Sequence, residues 1–267
     1  VIFPLYLFAV SPDTQEEIDL AKSLYKLANS YLNKAQNEKA EPLLIRSIGI
    51  LEKVLGPKHP DVATNLSKLG LLYNRQFRFD EAEKLLKRSI IIFEEAFGND
   101  HPKLALSFMR LGLVYSGKGL FAEAVEPTKL SLEIFEKNYG TNHHTVANSL
   151  NNLAYFYSEQ GRFSEAEPLF KRSMEIYERN LGADHPRVAL SLMNLANLYN
   201  KTGLLDKAIP LHKRSITISE KAYGKDHPEV AKKLNNFAIL LMNQARYAEA
   251  EKLHKRSLAI REKALGK

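Results

Sequence analysis

Apolar residues recur at a helical spacing along most of the chain. Near its middle, Val146, Leu150, Leu153 and Tyr157 follow one another at intervals of four, three and four residues, so their side chains lie on one face of an amphipathic helix. A polar turn containing a glycine occupies residues 159–162, and the same spacing then resumes. The pattern predicts a pair of helices, helix A and helix B, joined by a short turn.

This two-helix pattern repeats along the sequence. A glycine preceded by Leu, Phe or Tyr recurs in steps of 42 residues, at Gly56, Gly98, Gly140, Gly182, Gly224 and Gly266. Glycine is common just after a helix, so we expect each of these residues to end a helix B. The chain therefore divides into an apolar segment, residues 1–11, and an array over residues 12–267 of six units, at about residues 14–56, 57–98, 99–140, 141–182, 183–224 and 225–267. Stacked helix pairs predict an all-α solenoid of about twelve helices.

A histidine stands before helix A in most units. His185, for example, lies in the linker "GADHPRVA" at residues 182–189, and Pro186 follows it. Proline is favoured at the first position of a helix, so Pro186 is expected to begin helix A and either Asp184 or His185 to cap it. In helix B, Ser164 is placed as the cap. A metal site needs several ligands around one ion, whereas these histidines belong to successive units, so we interpret them as structural.

The sequence lacks the usual marks of an enzyme. It contains no cysteine, which excludes disulfides, thiolate zinc sites and a cysteine nucleophile, and it has no zinc-protease helix, phosphate loop or nucleophile elbow. One glutamate is present in all six units: Glu52, Glu94, Glu136, Glu178, Glu220 and Glu262. Such periodicity indicates a hydrogen bond across the repeat junction, because catalysis requires one asymmetric arrangement of residues. We expect no enzymatic activity, cofactor or metal.

The repeated positions resemble a known family. The linkers follow LG-x-DHP-x-VA and the second helices EAE-x-L-x-KRS-x-x-I-x-E. Within one unit the pattern is carried by Leu150, Leu153, Ala154, Tyr157, Gly161 and Ala166. It resembles the tetratricopeptide repeat (TPR) in the 42-residue form of kinesin light chains, over about residues 13–267. The resemblance implies a right-handed superhelical solenoid that acts as a protein–protein interaction module and adaptor-like scaffold, with one face of helix A lining a concave groove.

The face of helix A opposite the core stripe is therefore the candidate binding surface. Its central position is cationic in the first three units and asparagine in the last three: Lys26, Lys68, Arg110, Asn152, Asn194 and Asn236. Neighbouring positions add Arg75, Lys201, Asn148, Tyr155, Asn197, Leu71, Met109 and Leu113. Cations bind carboxylates by charge-assisted hydrogen bonds, asparagine offers a donor and an acceptor to a peptide backbone, and the leucines and methionine form an apolar patch. We predict that this groove binds an acidic, partly apolar extended peptide of another protein.

The charge of the chain suggests a further function class. The net charge is +7, and a Lys-Arg-Ser sequence recurs along helix B, where it forms a basic outer stripe: Lys87-Arg88, Lys171-Arg172, Lys213-Arg214 and Lys255-Arg256. We interpret the stripe as a solvated face, with salt bridges to neighbouring glutamates as the next alternative. Binding of a nucleic-acid backbone is the third alternative, which the scarcity of aromatic residues beside these cations disfavours.

The first eleven residues differ from the array. The stretch VIFPLYLFAV is apolar, is interrupted by Pro4, and has about half the length that a membrane-spanning helix needs, so we expect no membrane span. It is either the remnant of a secretory signal or a docking segment through which the chain forms a homo-oligomer. Docking would make a self-assembling structural scaffold the alternative function. We expect a cytoplasmic protein, or a secreted or periplasmic one if the segment is a signal remnant.

Overall fold

The computed structural model describes residues 11–266, which form twelve helices and no strand. The A helices are α1 (Pro12–Asn33), α3 (Pro60–Arg75), α5 (Pro102–Gly117), α7 (His144–Glu159), α9 (Pro186–Lys201) and α11 (Pro228–Asn243). The B helices are α2 (Asn37–Leu55), α4 (Phe79–Phe97), α6 (Phe121–Tyr139), α8 (Phe163–Leu181), α10 (Leu205–Tyr223) and α12 (Tyr247–Ala264). The predicted all-α solenoid of six helix pairs is confirmed. The predicted signal or docking segment, residues 1–11, lies outside the described residues except for Ser11.

The described residues 11–266 form two compact units, which are divided between Ile134 and Phe135. In the first unit, α1 packs on α2, α2 on α3, α3 on α4 and α4 on α5. In the second unit the same succession runs from α7 to α12. Neighbouring A helices also touch each other, as α3 touches α5, and α9 touches both α7 and α11. Within each unit, equivalent positions of the A helices therefore lie side by side.

Histidine caps five of the A helices. The Nδ1 atoms accept a hydrogen bond from the backbone N–H two residues further on, at 3.1–3.3 Å, in His59, His101, His143, His185 and His227. His185 rather than Asp184 is thus the cap of α9. These bonds satisfy backbone donors that a helix start leaves open, which gives the histidines a structural role.

The predicted cap of helix B was wrong. Helix α8 begins at Phe163, one residue before Ser164, and its N-cap Arg162 makes no side-chain capping bond. The guanidinium of Arg162 instead bonds Glu165 at 2.7 Å and lies 4.0 Å from the centre of the Tyr157 ring. The stacked arginine holds the turn between the two helices, so the helix start does not depend on a serine hydroxyl.

Small residues bring helices A and B into close contact. A serine that follows an arginine in five of the B helices is buried and donates its hydroxyl to the carbonyl of an alanine on the paired helix A. Donor–acceptor distances of 2.6–2.9 Å join Ser47 to Ala21, Ser89 to Ala63, Ser173 to Ala147, Ser215 to Ala189 and Ser257 to Ala231. A larger side chain at either position would separate the two backbones and break this bond.

Candidate functional site

Three cations of the predicted groove lie together in the first unit. Lys68 is half-buried on α3, and its pKa falls to about 8 because of burial and the like charges of Arg110 and Arg75. Among residues 11–266, no carboxylate lies within 4.0 Å of any of these three side chains. The cluster is named here the Lys68 cluster. It concentrates positive charge on a partly dry surface without a counter-ion.

Arg110 is less accessible than its sequence position suggested. The sequence analysis placed it on an open face, but the residue is only 9% exposed. Its guanidinium donates to the Ser67 hydroxyl at 2.7 Å, and burial lowers the pKa of Arg110 to about 10. The hydroxyls of Ser67 and Ser107 are 2.9 Å apart, so the arginine is held by neutral groups. Arg110 therefore contributes its field to the Lys68 cluster, while Lys68 and the exposed Arg75 are the groups a ligand can reach.

Other predicted residues of the first unit are spread over this face. Lys26 is exposed on α1. Together with Tyr25 of the same helix and Thr64 of α3, it lines an apolar cavity of about 250 Å³. The three residues of the predicted apolar patch are each half-buried: Leu71, Met109 and Leu113. The first unit thus offers cations beside partly covered apolar side chains.

In the second unit, five predicted residues surround one cavity, named here the asparagine cavity. It has a volume of about 250 Å³, and Glu159 and Ile239 also line it. The five residues are Tyr155, Asn194, Asn197, Lys201 and Asn236. Lys201 donates to Glu159 at 2.7 Å, so its charge is already compensated. Tyr155 and Ile239 are 39% and 44% exposed, which gives the cavity two apolar contact surfaces.

The central residues of the A helices are linked by a regular hydrogen bond. Three of them donate to the residue 43 positions earlier, on the preceding A helix. Arg110 reaches Ser67 at 2.7 Å, Asn194 reaches Asn151 at 3.1 Å and Asn236 reaches the sulfur of Met193 at 3.2 Å. These acceptors were not predicted, although a spacing of one repeat plus one residue would have been the signal. The bond uses the amide donor of Asn194 and Asn236 and leaves their side-chain oxygens without a donor from residues 11–266.

Two further asparagines of the prediction differ in their surroundings. Asn148 accepts hydrogen bonds from the Tyr177 hydroxyl and from Arg187, so its side-chain oxygen is occupied. Asn152, one turn further along α7, is half-buried and makes no side-chain hydrogen bond within the described part of the chain. Asn152 is therefore the better placed of the two to bind a ligand.

The basic outer stripe is neutralised by glutamates. Its arginines bond the recurring glutamate of the preceding helix B at 2.5–2.7 Å, as Arg88–Glu52, Arg172–Glu136, Arg214–Glu178 and Arg256–Glu220. Its lysines bond glutamates one turn earlier at 2.6–2.7 Å, as Lys87–Glu83, Lys171–Glu167 and Lys255–Glu251. These cationic side chains remain 39–74% exposed, so the stripe is solvated and also carries the salt bridges of the second alternative. The stripe offers little unpaired charge to a nucleic acid.

No group of three His, Asp or Glu side chains within the described residues is placed to hold a metal ion. None of the helices within residues 11–266 is both long and apolar enough to cross a membrane.

Comparison with known proteins identifies the repeat. The tetratricopeptide repeat model matches five overlapping segments, residues 19–90, 61–137, 128–179, 145–221 and 187–263. Kinesin light chain nearly identical TPR-like repeats from Podosopora anserina are 25% identical, with a TM-score of 0.64 over 77% of this chain and 98% of that one. BtubC (BKLC) from P. vanneervenii is 22% identical, with a TM-score of 0.67 over 96% and 94%. The Rap conjugation gene regulator of plasmid pLS20, in complex with the Phr* peptide, is 12% identical, with a TM-score of 0.65 over 98% and 79%. No curated protein sequence matches the chain.

Proposed function

Because this chain belongs to the tetratricopeptide repeat family, we propose that it is a protein–protein interaction module whose A-helix face binds an extended peptide with acidic and apolar residues. Its likeness to kinesin light chain repeats favours an adaptor-like scaffold. The Rap regulator of similar fold was solved with a bound peptide, which illustrates the kind of ligand such an array accommodates.

The Lys68 cluster carries this proposal. Burial of Lys68, together with its repulsion by the like charges of Arg110 and Arg75, lowers the pKa of Lys68. A carboxylate placed among them would relieve this repulsion and accept charge-assisted hydrogen bonds, each of which contributes about 1.5 to 3 kcal/mol. An acidic side chain is the natural ligand of such a cluster.

The second unit supplies the contacts that an extended backbone needs. The side-chain oxygens of Asn194 and Asn236 can accept hydrogen bonds from peptide N–H groups whatever the peptide sequence. Tyr155 and Ile239, beside them, present apolar surface for a large side chain of the peptide. The asparagines would give affinity, and the cations and apolar surfaces would give selectivity.

A peptide array tests the proposal. Ten-residue peptides that combine Glu or Asp with Leu or Phe are screened against the whole chain, and the affinity of each binder is measured by fluorescence anisotropy. We expect Lys68→Glu and Arg75→Glu each to weaken binding at least tenfold, because each puts a like charge opposite the ligand carboxylate. We also expect added NaCl to weaken binding of the wild-type protein.

Lys84→Glu serves as the matched control, because Lys84 is an exposed lysine of helix B in the same unit. It changes the net charge equally and should alter affinity less than about twofold. Circular dichroism verifies that each variant is folded. The proposal fails if no acidic peptide binds, or if charge reversal at Lys68 and Arg75 leaves every affinity unchanged.

A further inference from the structure

A second cavity of the second unit lies against α9, α10 and α11, and it is lined by a different set of residues from the asparagine cavity. Its volume is about 390 Å³, and its walls include Leu190, Tyr223, Arg187, Glu229 and Lys233. It is named here the Lys233 cavity. None of its lining residues belongs to the predicted groove set.

Lys233 is a buried cation that the repeat pattern does not require. The equivalent position in the other five units holds a small polar residue: Ser23, Asn65, Ser107, Ser149 and Ser191. Lys233 is only 5% exposed, and burial lowers its pKa. Its ammonium has three donors, yet within residues 11–266 its one side-chain hydrogen bond is to the sulfur of Met193 at 3.5 Å. A thioether is a weak, neutral acceptor, so most of the bonding capacity of the ammonium is unused.

Lys233 is attracted by Glu229 and repelled by Lys232, so its charge is compensated only in part. Glu229 lines the same cavity, but its carboxylate bonds Lys232 at 2.5 Å, and no carboxylate of residues 11–266 lies within 4.0 Å of the Lys233 ammonium. Arg187 adds a second cation at the cavity, and its guanidinium donates to the neutral side chain of Asn148. The cavity therefore holds two cations and one carboxylate that is already paired. A buried charge without a partner is costly, so an anion that enters gains a strong interaction.

We propose that the Lys233 cavity binds a carboxylate of the peptide ligand, with Lys233 as its buried partner and Arg187 as a second donor. This inference rests on the proposed peptide-binding function and adds a second anchoring position, on the second unit. The apolar walls at Leu190 and Tyr223 fit the aliphatic stem of a glutamate or the last side chain before a C-terminal carboxylate. A glutamate and a chain end share this chemistry, and the experiment distinguishes them.

The test compares a buried lysine with an exposed one. Lys233→Met keeps the buried aliphatic stem and removes the ammonium, whereas Lys252→Met removes the same charge from an exposed residue of α12 that forms no ion pair within residues 11–266. The probes are the peptides selected on the array, each made with every Glu or Asp changed singly to Gln or Asn and with the C-terminus free or amidated. We expect Lys233→Met to weaken binding about tenfold to a hundredfold and Lys252→Met less than about twofold.

One peptide change should weaken binding to the wild-type protein but not to Lys233→Met, because the interaction between that carboxylate and Lys233 is already absent in the variant. If that change is amidation, the ligand group is the chain end; if it is a Glu→Gln change, the group is a side chain. As a measurement on the unmodified chain, the Nζ–H signal of Lys233 in NMR spectra should shift when the free-acid peptide is added. Lys233→Ser, which restores the residue of the preceding unit, gives a second variant should the methionine variant unfold.

The outcomes separate the two proposals. If Lys233→Met or Lys233→Ser binds every probe as the wild type does while Lys68→Glu still weakens binding, the inference is wrong and the peptide-binding function stands. If neither Lys233→Met nor Lys68→Glu changes any affinity, the peptide-binding function itself is wrong. An unchanged Lys233 signal at saturating peptide would also overturn the inference.

Discussion

His212 shows how one residue of a repeat can carry a property that its counterparts lack. It occupies a core position that holds Leu44, Leu86 and Phe170 in other units, and it is only 1% exposed. Its ring stacks on Phe237 with centroids 5.5 Å apart, and neither ring nitrogen has a hydrogen-bond partner within the described chain. Burial, together with the nearby charge of Lys233, lowers the pKa of His212 from 6.5 to about 4. The folded state therefore holds this histidine neutral.

We expect His212 to make folding sensitive to acid. In the unfolded chain it gains a proton below pH 6.5, whereas in the folded chain it does so only near pH 4, so stability falls as the pH drops through this window. Its share of the loss should approach about 3 kcal/mol at pH 4. His212→Leu should remove this share and also stabilise the protein at pH 7 by about 1 kcal/mol or more, because no buried nitrogen is left unpaired. Urea unfolding of the wild type and His212→Leu at pH 7 and pH 4.5 measures the free energy of unfolding. If both proteins lost the same stability between the two pH values, His212 would not be the cause of the acid sensitivity.

At the scale of an element, the turn between helices A and B sets a backbone requirement that only some units meet with glycine. The second residue after helix A has a positive φ, 75° at Gly161 and 75° at Gly203, but also 57° at Ala245. This left-handed conformation closes the helix end, where the N–H of Arg246 donates to the carbonyl of Leu241 at 3.0 Å. A side chain disfavours it by about 1 to 2 kcal/mol, so the alanine turn is strained relative to the glycine turns.

The same substitution should have opposite effects at two places in the sixth repeat. Ala245→Gly is expected to raise the free energy of unfolding by about 0.5 to 1 kcal/mol, because it relieves the positive φ. Ala259→Gly, at an exposed position inside α12, should lower it by about 1 kcal/mol through the low helix propensity of glycine. Denaturant unfolding of the two variants measures both changes. A destabilised Ala245→Gly protein would show that the turn stores no strain.

At the scale of the whole molecule, each compact unit is built by contacts between neighbouring repeats. The described packing joins each helix to the next one or two along the chain, and the hydrogen bonds between A helices span 43 residues. The change from cations to asparagines along the central positions follows the same division, since the cations lie before residue 134 and the asparagines after it. In such an array, stability is close to a sum of repeat and nearest-neighbour contributions.

Truncation of a buried core side chain should therefore destabilise mainly the unit that contains it. Leu192→Ala in α9 and Leu66→Ala in α3 remove the same buried side chain from equivalent positions, 0% and 1% exposed, at a cost of about 2 to 5 kcal/mol each. Hydrogen exchange followed by mass spectrometry should show reduced protection in α8–α11 for Leu192→Ala and in α2–α5 for Leu66→Ala. Equal loss of protection across both units in either variant would show that the chain unfolds as one cooperative body.

The sequence by itself was sufficient for features that depend on short spacings. The 42-residue period predicts the six helix pairs, the glycines predict the ends of helix B, and His185 with Pro186 predicts the start of α9. These features are local, because a helix needs only its own apolar face and its own caps. All five predicted second-unit residues at the asparagine cavity lie on the same face of the A helices, at positions that recur with the repeat, which is why they could be named together.

Only the tertiary structure decided how these residues are used. The distance between neighbouring A helices makes Arg110 reach Ser67 and so become buried, and the distance between B helices pairs the outer arginines with glutamates. The same packing buries Lys233. Its position in the repeat is the one that holds serine in most other units, so the period alone does not predict a buried cation there. Whether two side chains on different helices pair depends on the distance and angle between their atoms to within a fraction of a hydrogen-bond length. The repeat period of the sequence does not specify that distance or that angle.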